Sequence, residues 1–244
     1  MIKGTPELIA QRREEIINAC EQLYRTMSFR EITLKEIGKI TSFSRPTIYN
    51  YFETKEEIFL ALFQREYDLW NEDLTAILDG NEKLTKTELS EKIAASLAGR
   101  ELLLKLLSMN NYDMEANSRK EMLTAFKQSY GRSVHLMDLL LEKFCTDMST
   151  ADIQNFIYTF FPFMFGIYPY TTVTEKQRIA MKDAGINFVY QTVYELTMSC
   201  LTRLLGKCKT EDKTERRRYL HEIRVTWQFR LKCIQDLHGM YGIR

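Results

Sequence analysis

The stretch TLKEIGKITSFSRPTIYNYFETK, Thr33 to Lys55, decides how the rest of the chain is read. Thr33 and Glu36 have the spacing of a capping box, in which hydroxyl and carboxylate satisfy free N–H groups at a helix start. Ile37 and Ile40 follow, three apart on one face, and Thr41, Ser42 and Phe43 carry a turn. Ser44 is a second N-cap, and Pro46 suits a first helical turn because its φ is preset and its missing N–H is not needed there. Ile48 and Phe52 can join Ile37 and Ile40 in one small core, which leaves Arg45, Thr47, Tyr49 and Asn50 facing away from it. Thr54 with Glu57 opens the next helix. A supporting helix beside a short one that exposes Arg, Thr, Tyr and Asn is the geometry of a helix-turn-helix, whose second helix enters the major groove of DNA.

Thr33, Ile37-Gly38, Phe43-Ser44, the run Thr47-Ile48-Tyr49-Asn50-Tyr51-Phe52 and Lys55 together resemble the DNA-binding domain of the TetR family of bacterial transcriptional regulators. The resemblance covers about residues 6 to 75. It implies that Tyr49 and Lys55 touch backbone phosphates and that Arg45, Pro46 and Thr47 approach base edges. Thr33, Lys35, Asn50 and Tyr51 complete the expected DNA-binding surface. Two departures stand out. The family usually has Ala at the place of Gly38 and a small Ala/Leu-Gly pair at the place of Thr41-Ser42, where a side chain would cost on the order of 1 kcal/mol if φ were positive.

Outward from this stretch, 244 residues suffice for one large or two modest domains with a sizeable core. Hydrophobic residues at 45%, charged residues at 27%, and only ten Gly and four Pro suit an all-α chain with short connections. A net charge of +1 does not itself announce a nucleic-acid binder, so the placement of charge matters more than its sum. Cys20, Cys145, Cys200, Cys208 and Cys233 form no C-x-x-C pair and fall mostly in apolar helical patterns, which favours a reducing cytoplasm. The N-terminal MIKGTPELIAQRREE lacks the apolar core of a signal peptide. The run Ile153 to Tyr170 is interrupted by polar residues and two prolines and reads as a buried helix rather than a membrane span.

Helix one starts at Thr5-Pro6-Glu7, with a stripe of Ile9, Ile16, Cys20, Leu23, Tyr24 and Met27, and Arg12 and Arg13 are expected on its wet face. The helix from Lys55 to about Leu78 is long enough to belong to both head and body. Asp79 to Lys83 is a turn cluster. Beyond it, capping boxes at Thr85/Glu88, Ser118/Glu121, Ser149/Asp152 and Thr174/Gln177 punctuate helices expected at 85–98, 100–109, 118–145, 149–168, 174–184 and 187–205. The expected division is a helix-turn-helix domain at 1–54, a helical ligand-binding and dimerisation domain at 55–205, and a basic amphipathic extension at 206–244. That extension holds ten Lys and Arg against five Asp and Glu, with an apolar stripe from Leu220 through Trp227 to Leu237, and is expected to enlarge a dimer interface.

No HExxH, Gly-rich phosphate loop or G-x-S-x-G occurs, and His135, His221 and His238 lack metal-ligand spacing, so neither enzymatic activity, a cofactor nor a metal is expected. Pro162 is expected to kink or interrupt the aromatic run at 156–170, and Gly166 to allow a close approach of backbone or ligand. By residue type, Met109, Tyr112, Phe126, Tyr130, Phe160, Phe163, Met164 and Tyr168 are candidates to line an apolar small-molecule site. The resemblance further implies that helices 149–168 and 187–205 pair with their copies in a homodimer, with Val193, Leu201 and Leu205 at the interface. The expected function is a regulator, repressor in type, that binds a palindromic double-stranded DNA operator and is released by a small apolar or amphipathic effector. The alternative is a DNA-bound adaptor of the same fold, controlled by a protein partner.

Overall fold

The computed structural model describes residues 5–109 and 111–206. The expected extension at 206–244, apart from Gly206, lies outside them. Among the described residues every regular element is a helix and no strand forms. The order is α1 (Pro6–Tyr24), α2 (Leu34–Ile40), α3 (Arg45–Ile48), α4 (Lys55–Asp79), α5 (Lys86–Ala98), α6 (Glu101–Leu107), α7 (Asn111–Ala116), α8 (Lys120–Phe144), α9 (Thr150–Thr171), α10 (Glu175–Asp183) and α11 (Val193–Leu205).

The helix starts follow local chemistry. The Thr5, Thr33 and Thr54 side chains each accept a hydrogen bond from the backbone N–H three residues on. Reciprocal boxes form at Thr85/Glu88, Ser149/Asp152, Thr174/Gln177 and Thr192/Glu195. The last of these sets the start of α11 at Val193, six residues later than the 187–205 expectation. The chain before it reverses at Gly185, whose φ of 69° favours glycine. Ser118 caps nothing: its hydroxyl donates to the Met114 carbonyl at the end of α7, and α8 begins after Arg119. The segment expected as one helix from 118 is thus preceded by a separate six-residue helix, α7.

Helices α1 to α3 form a head around Ile16, Cys20, Ile32, Ile37, Ile48 and Phe52, all buried. Ile40, expected among them, is 40% exposed. The 25-residue α4 runs from the head into the body and packs along α8. Rings from three helices meet there: Trp70 of α4 lies 6.0 Å from Phe161 of α9, and Tyr130 of α8 lies 5.7 Å from the same ring. A buried polar contact sets the α4–α8 register, with Ser133 Oγ donating to Asn71 Oδ1 at 2.6 Å and Asn71 Nδ2 to the Ser129 carbonyl at 3.0 Å. On the other side α6 packs on α9, and α11 packs on α5 and α9.

Helix α9 runs without interruption through Pro162 and Pro169. Each proline removes one backbone hydrogen bond. Both prolines are exposed, as are Tyr158 and Phe165, the residues four positions before them, so the released carbonyls lie on the wet side. The helix is buried on one side only, through Ile153, Phe156, Phe160, Phe161, Met164 and Ile167. Gly166 makes no close approach: a Cβ there would meet nothing within 4 Å among the described residues. Among the described residues no helix is long and apolar enough to cross a membrane.

Candidate nucleic-acid interface

The four-residue α3 is fixed from behind and open in front. Ile48 is fully buried, whereas Arg45, Pro46, Tyr49 and Asn50 are exposed and Thr47 is half-buried. Lys35 and Lys39 of α2 are exposed as well, with Lys39 Nζ 3.1 Å from Glu36 Oε1. Thr33 is also exposed at the start of α2. Arg45 lies back along its helix, its Nη2 donating to Tyr49 Oη at 2.8 Å with the guanidinium carbon 5.5 Å from the ring centre. The pair is charged and hydrogen-bonded on an exposed surface, and an acceptor on a base edge or a phosphate can compete for its donors.

Ser44 does not cap α3 with its side chain, and its hydroxyl sits 3.4 Å from Thr47 Oγ1 instead. The turn is held from α1. Glu15 accepts from the Ser42 backbone N–H through Oε1 and from Ser42 Oγ at 3.1 Å through Oε2. No described non-glycine residue has a positive φ, and Thr41 is extended, so the turn avoids the left-handed geometry that would have required glycine. A Cβ at Gly38 would stand 3.5 Å from Arg45, an ordinary contact, so the alanine usual in the resembling family fits here as well.

Two residues expected on the DNA-binding surface sit elsewhere. Tyr51 is 3% exposed and packs in the head, with Arg12 Nη1 donating to its hydroxyl at 3.4 Å. Lys55 turns inward: its Nζ donates to the carbonyls of Phe29 at 2.8 Å and Ile32 at 3.2 Å and lies 4.2 Å from the centre of the Phe29 ring. Two bonds to the carbonyls of the link before α2 give the ammonium a structural task. Arg12 and Arg13, expected as solvated charges, are half-buried over aromatic rings, Arg13 at 4.7 Å from the Phe52 centre and Arg12 at 5.9 Å from that of Phe43.

In the body, the eight candidate ligand residues divide. Phe126, Phe160 and Met164 are buried; Met109, Tyr130, Phe163 and Tyr168 are half-buried; Tyr112 is 84% exposed. Tyr67, which the sequence did not single out, joins them, its ring 5.9 Å from Phe126 and 5.7 Å from Tyr130. Burial pushes the hydroxyls of Tyr67 and Tyr130 upward in pKa, so both are neutral phenols able to donate. A separate open cleft of about 310 Å³ lies between α10 and the segment before α11, lined by Arg178, Lys182, Ile186, Phe188 and Tyr190 among others; it includes none of the eight.

The candidate interface residues also divide. Leu201 and Leu205 are 0% and 1% exposed inside the protomer, on the side of α11 that meets α5 and α9, so neither is free to face a second copy. Val193 is half-buried. The uncovered apolar surface lies instead on α9 and around the start of α11, with Tyr158 69%, Tyr170 59% and Phe165 41% exposed, and Tyr194 at 38%.

The head corresponds to the family described as bacterial regulatory proteins, tetR family, which matches residues 16–62. The tetracyclin repressor-like C-terminal domain family matches residues 64–203, more than half of the chain. The chain belongs to the TetR family. As a TetR-family member it is a helix-turn-helix transcriptional regulator. It is similar to the HTH-type transcriptional regulator HbdR of Aromatoleum sp. strain CIB, 25% identical over 75 residues, which are 31% of this chain and 33% of HbdR. It is also similar to the uncharacterized HTH-type transcriptional regulator YfiR of Bacillus subtilis strain 168, 27% identical over 96 residues, 39% of this chain and 42% of YfiR. Both matches thus span less than half of the relative's length. Among solved structures, the TetR-family repressor FadR of Thermus thermophilus, in complex with lauroyl-CoA, shares the fold with a TM-score of 0.51 at 22% identity, covering 83% of this chain and 98% of FadR.

Proposed function

We infer that this TetR-family regulator is a cytoplasmic, ligand-released repressor that binds a palindromic operator as a homodimer. Its division of labour follows residues 1–54 for DNA, 55–205 for ligand and dimer, and 206–244 as an added basic segment. The observation that carries the DNA-reading part is the split over α3 and the turn after it, where Ile48 is fully buried while Arg45, Tyr49 and Asn50 are exposed. Base contacts come from Arg45, Pro46, Thr47 and Asn50, and phosphate contacts from Tyr49, Lys35 and Thr33. The two heads of a dimer would meet successive major grooves about 34–36 Å apart, or a wider multiple.

The dimer forms through the exposed aromatic face of α9, since a contiguous apolar surface of this kind is costly to leave in water. The effector site lies where α4, α8 and α9 converge, near Tyr67, Tyr130 and Phe163, where apolar rings meet neutral phenols. Because FadR of Thermus thermophilus is complexed with lauroyl-CoA, long-chain acyl thioesters are the first ligand class to try. The test is selection of duplexes from a random library by the full chain, followed by titration of the selected complex with lauroyl-CoA and with free laurate. Symmetric half-sites and ligand-dependent release support the reading. A single asymmetric site bound by a monomer contradicts it.

A further inference from the structure

An ionic contact at the start of α4 ties the reading head to the body. Glu57, in the first turn of α4, is 0% exposed. Its carboxylate accepts four hydrogen bonds: from the Glu53 N–H at 2.8 Å, the Arg119 N–H at 3.0 Å, Arg119 Nε at 2.6 Å and Arg119 Nη2 at 2.7 Å. Arg119 belongs to the body, at the corner between α7 and α8. The same guanidinium donates through Nη2 to the Tyr51 carbonyl at 3.3 Å and approaches Glu53 Oε1 at 3.5 Å through Nη1. Alongside, Thr54 Oγ1 donates to the Asn117 carbonyl at 2.9 Å. Residues 51–57, which lead out of the recognition helix, are therefore fastened to residues 117–119.

The chemistry of this contact favours orientation over simple cohesion. Burial pushes the Glu57 carboxyl upward in pKa, but the Arg119 side chain, the two backbone donors and the Arg119 charge outweigh it and hold the group below its ordinary value. The pair is charged at neutral pH. Only the carboxylate is buried, the Arg119 side chain being 42% exposed, and an ion pair with one partner in water adds little stability. A two-pronged guanidinium–carboxylate bond does fix angle as well as distance. A second contact joins α6 to the end of α1, where Lys105 donates to the Tyr24 carbonyl at 2.5 Å and lies 4.1 Å from the centre of the Tyr24 ring. The head is thus tied to the body through the packing of α1 on α4, through the Glu57 contact at the start of α4 and through Lys105.

We propose that Arg119 is a positioning residue for DNA recognition: clasped to Glu57, it sets the tilt of the reading head on the body and hence the spacing of the two recognition helices. The proposal rests on the dimeric, operator-reading function inferred above. Sequence-specific binding needs both helices in register with successive grooves, whereas binding to arbitrary duplex depends mainly on charge. Loss of the clasp therefore lowers the first and spares the second.

The experiment compares the intact chain with Arg119→Met and Arg119→Lys. Affinity is measured for the duplex that the wild-type chain selects from a random library and for a random-sequence duplex of equal length. Both are read at a temperature where circular dichroism shows each variant fully helical. Arg119→Met is expected to lower the ratio of selected to random affinity by about tenfold or more, with the random-duplex affinity within about twofold of wild type. Arg119→Lys, which keeps the charge but not the fork, is expected to fall between, at about threefold. A purely structural role would change the fraction of active protein and leave this ratio alone. An unchanged ratio in folded Arg119→Met overturns the proposal, and if that variant does not fold, an unchanged ratio in Arg119→Lys does so. A wild-type chain with normal helical content but no preferred duplex overturns the operator-reading function and the clasp together.

Discussion

Lys55, the first residue of α4, donates its Nζ to the carbonyl of Phe29 at 2.8 Å, across the loop that leads into the supporting helix. With the second bond to Ile32 and the Phe29 ring beneath it, the ammonium stabilises the head from within. Lys55→Ala is expected to lower the melting temperature while changing the slope of log affinity against log salt by less than about one unit. A full unit lost from the slope, with melting unchanged, would return Lys55 to the phosphate-contacting role that the family resemblance implies.

The dimer prediction separates a leucine from a phenylalanine. Phe165 on the open face of α9 is 41% exposed, whereas Leu201 of α11 is fully buried within the protomer. Phe165→Asp is expected to give a folded monomer by light scattering, with helical content retained. Leu201→Asp places a charge in the protomer core and is expected to abolish cooperative folding, at a cost of several kcal/mol. A folded Phe165→Asp dimer, or a folded Leu201→Asp monomer, would move the interface to another face.

Glu66 gives a pH prediction. It is 7% exposed on α4, and burial pushes its carboxyl above the ordinary value, against partial relief from the charge of Arg65. A carboxyl whose folded pKa exceeds its unfolded one binds its proton more tightly in the native state, so this group makes stability fall as pH rises through the window from the ordinary carboxylate range up to the raised value. Glu66→Gln is expected to raise the melting temperature near pH 7 and to change it little near pH 4. A melting gain that is the same at both pH values, or a loss at neutral pH, would show that ionisation of Glu66 is not the source.

The elements legible in the sequence are those fixed by neighbours in the chain. The Thr33 and Thr54 caps, the proline at the start of α3, and the inward spacing of Ile37, Ile48 and Phe52 are all local signals, and the head assembles from them. What escaped notice depends on pairs distant in sequence. Glu15 holds the Ser42 turn from 27 residues away, and Arg119 reaches Glu57 from 62 residues away. Neither acid differs in sequence from a solvated helical carboxylate. Lys55 and Tyr51 fit the family pattern, yet only the folded arrangement turns them inward. In the body, helix α9 was legible from its apolar run. Which of its faces is covered was not, because that depends on α6, α8 and α11 packing on one side. The late start of α11 was written locally, in Thr192 and Glu195, but the aromatic residues Phe188 and Tyr190 before it read as a continuation of the helix.

The most direct test of base reading is a parallel selection of random duplexes by the wild-type chain and by Arg45→Ala. Arg45 is exposed at the first position of α3, and a two-pronged contact to guanine O6 and N7 is worth about 1–3 kcal/mol of discrimination. The wild type should enrich a pair of symmetric half-sites, and Arg45→Ala should enrich the same pair with preference relaxed at one base pair in each half. Identical preferences in the two chains, with a uniform loss of affinity in the variant, would make Arg45 a phosphate contact. No enrichment by the wild-type chain would contradict sequence reading by this head.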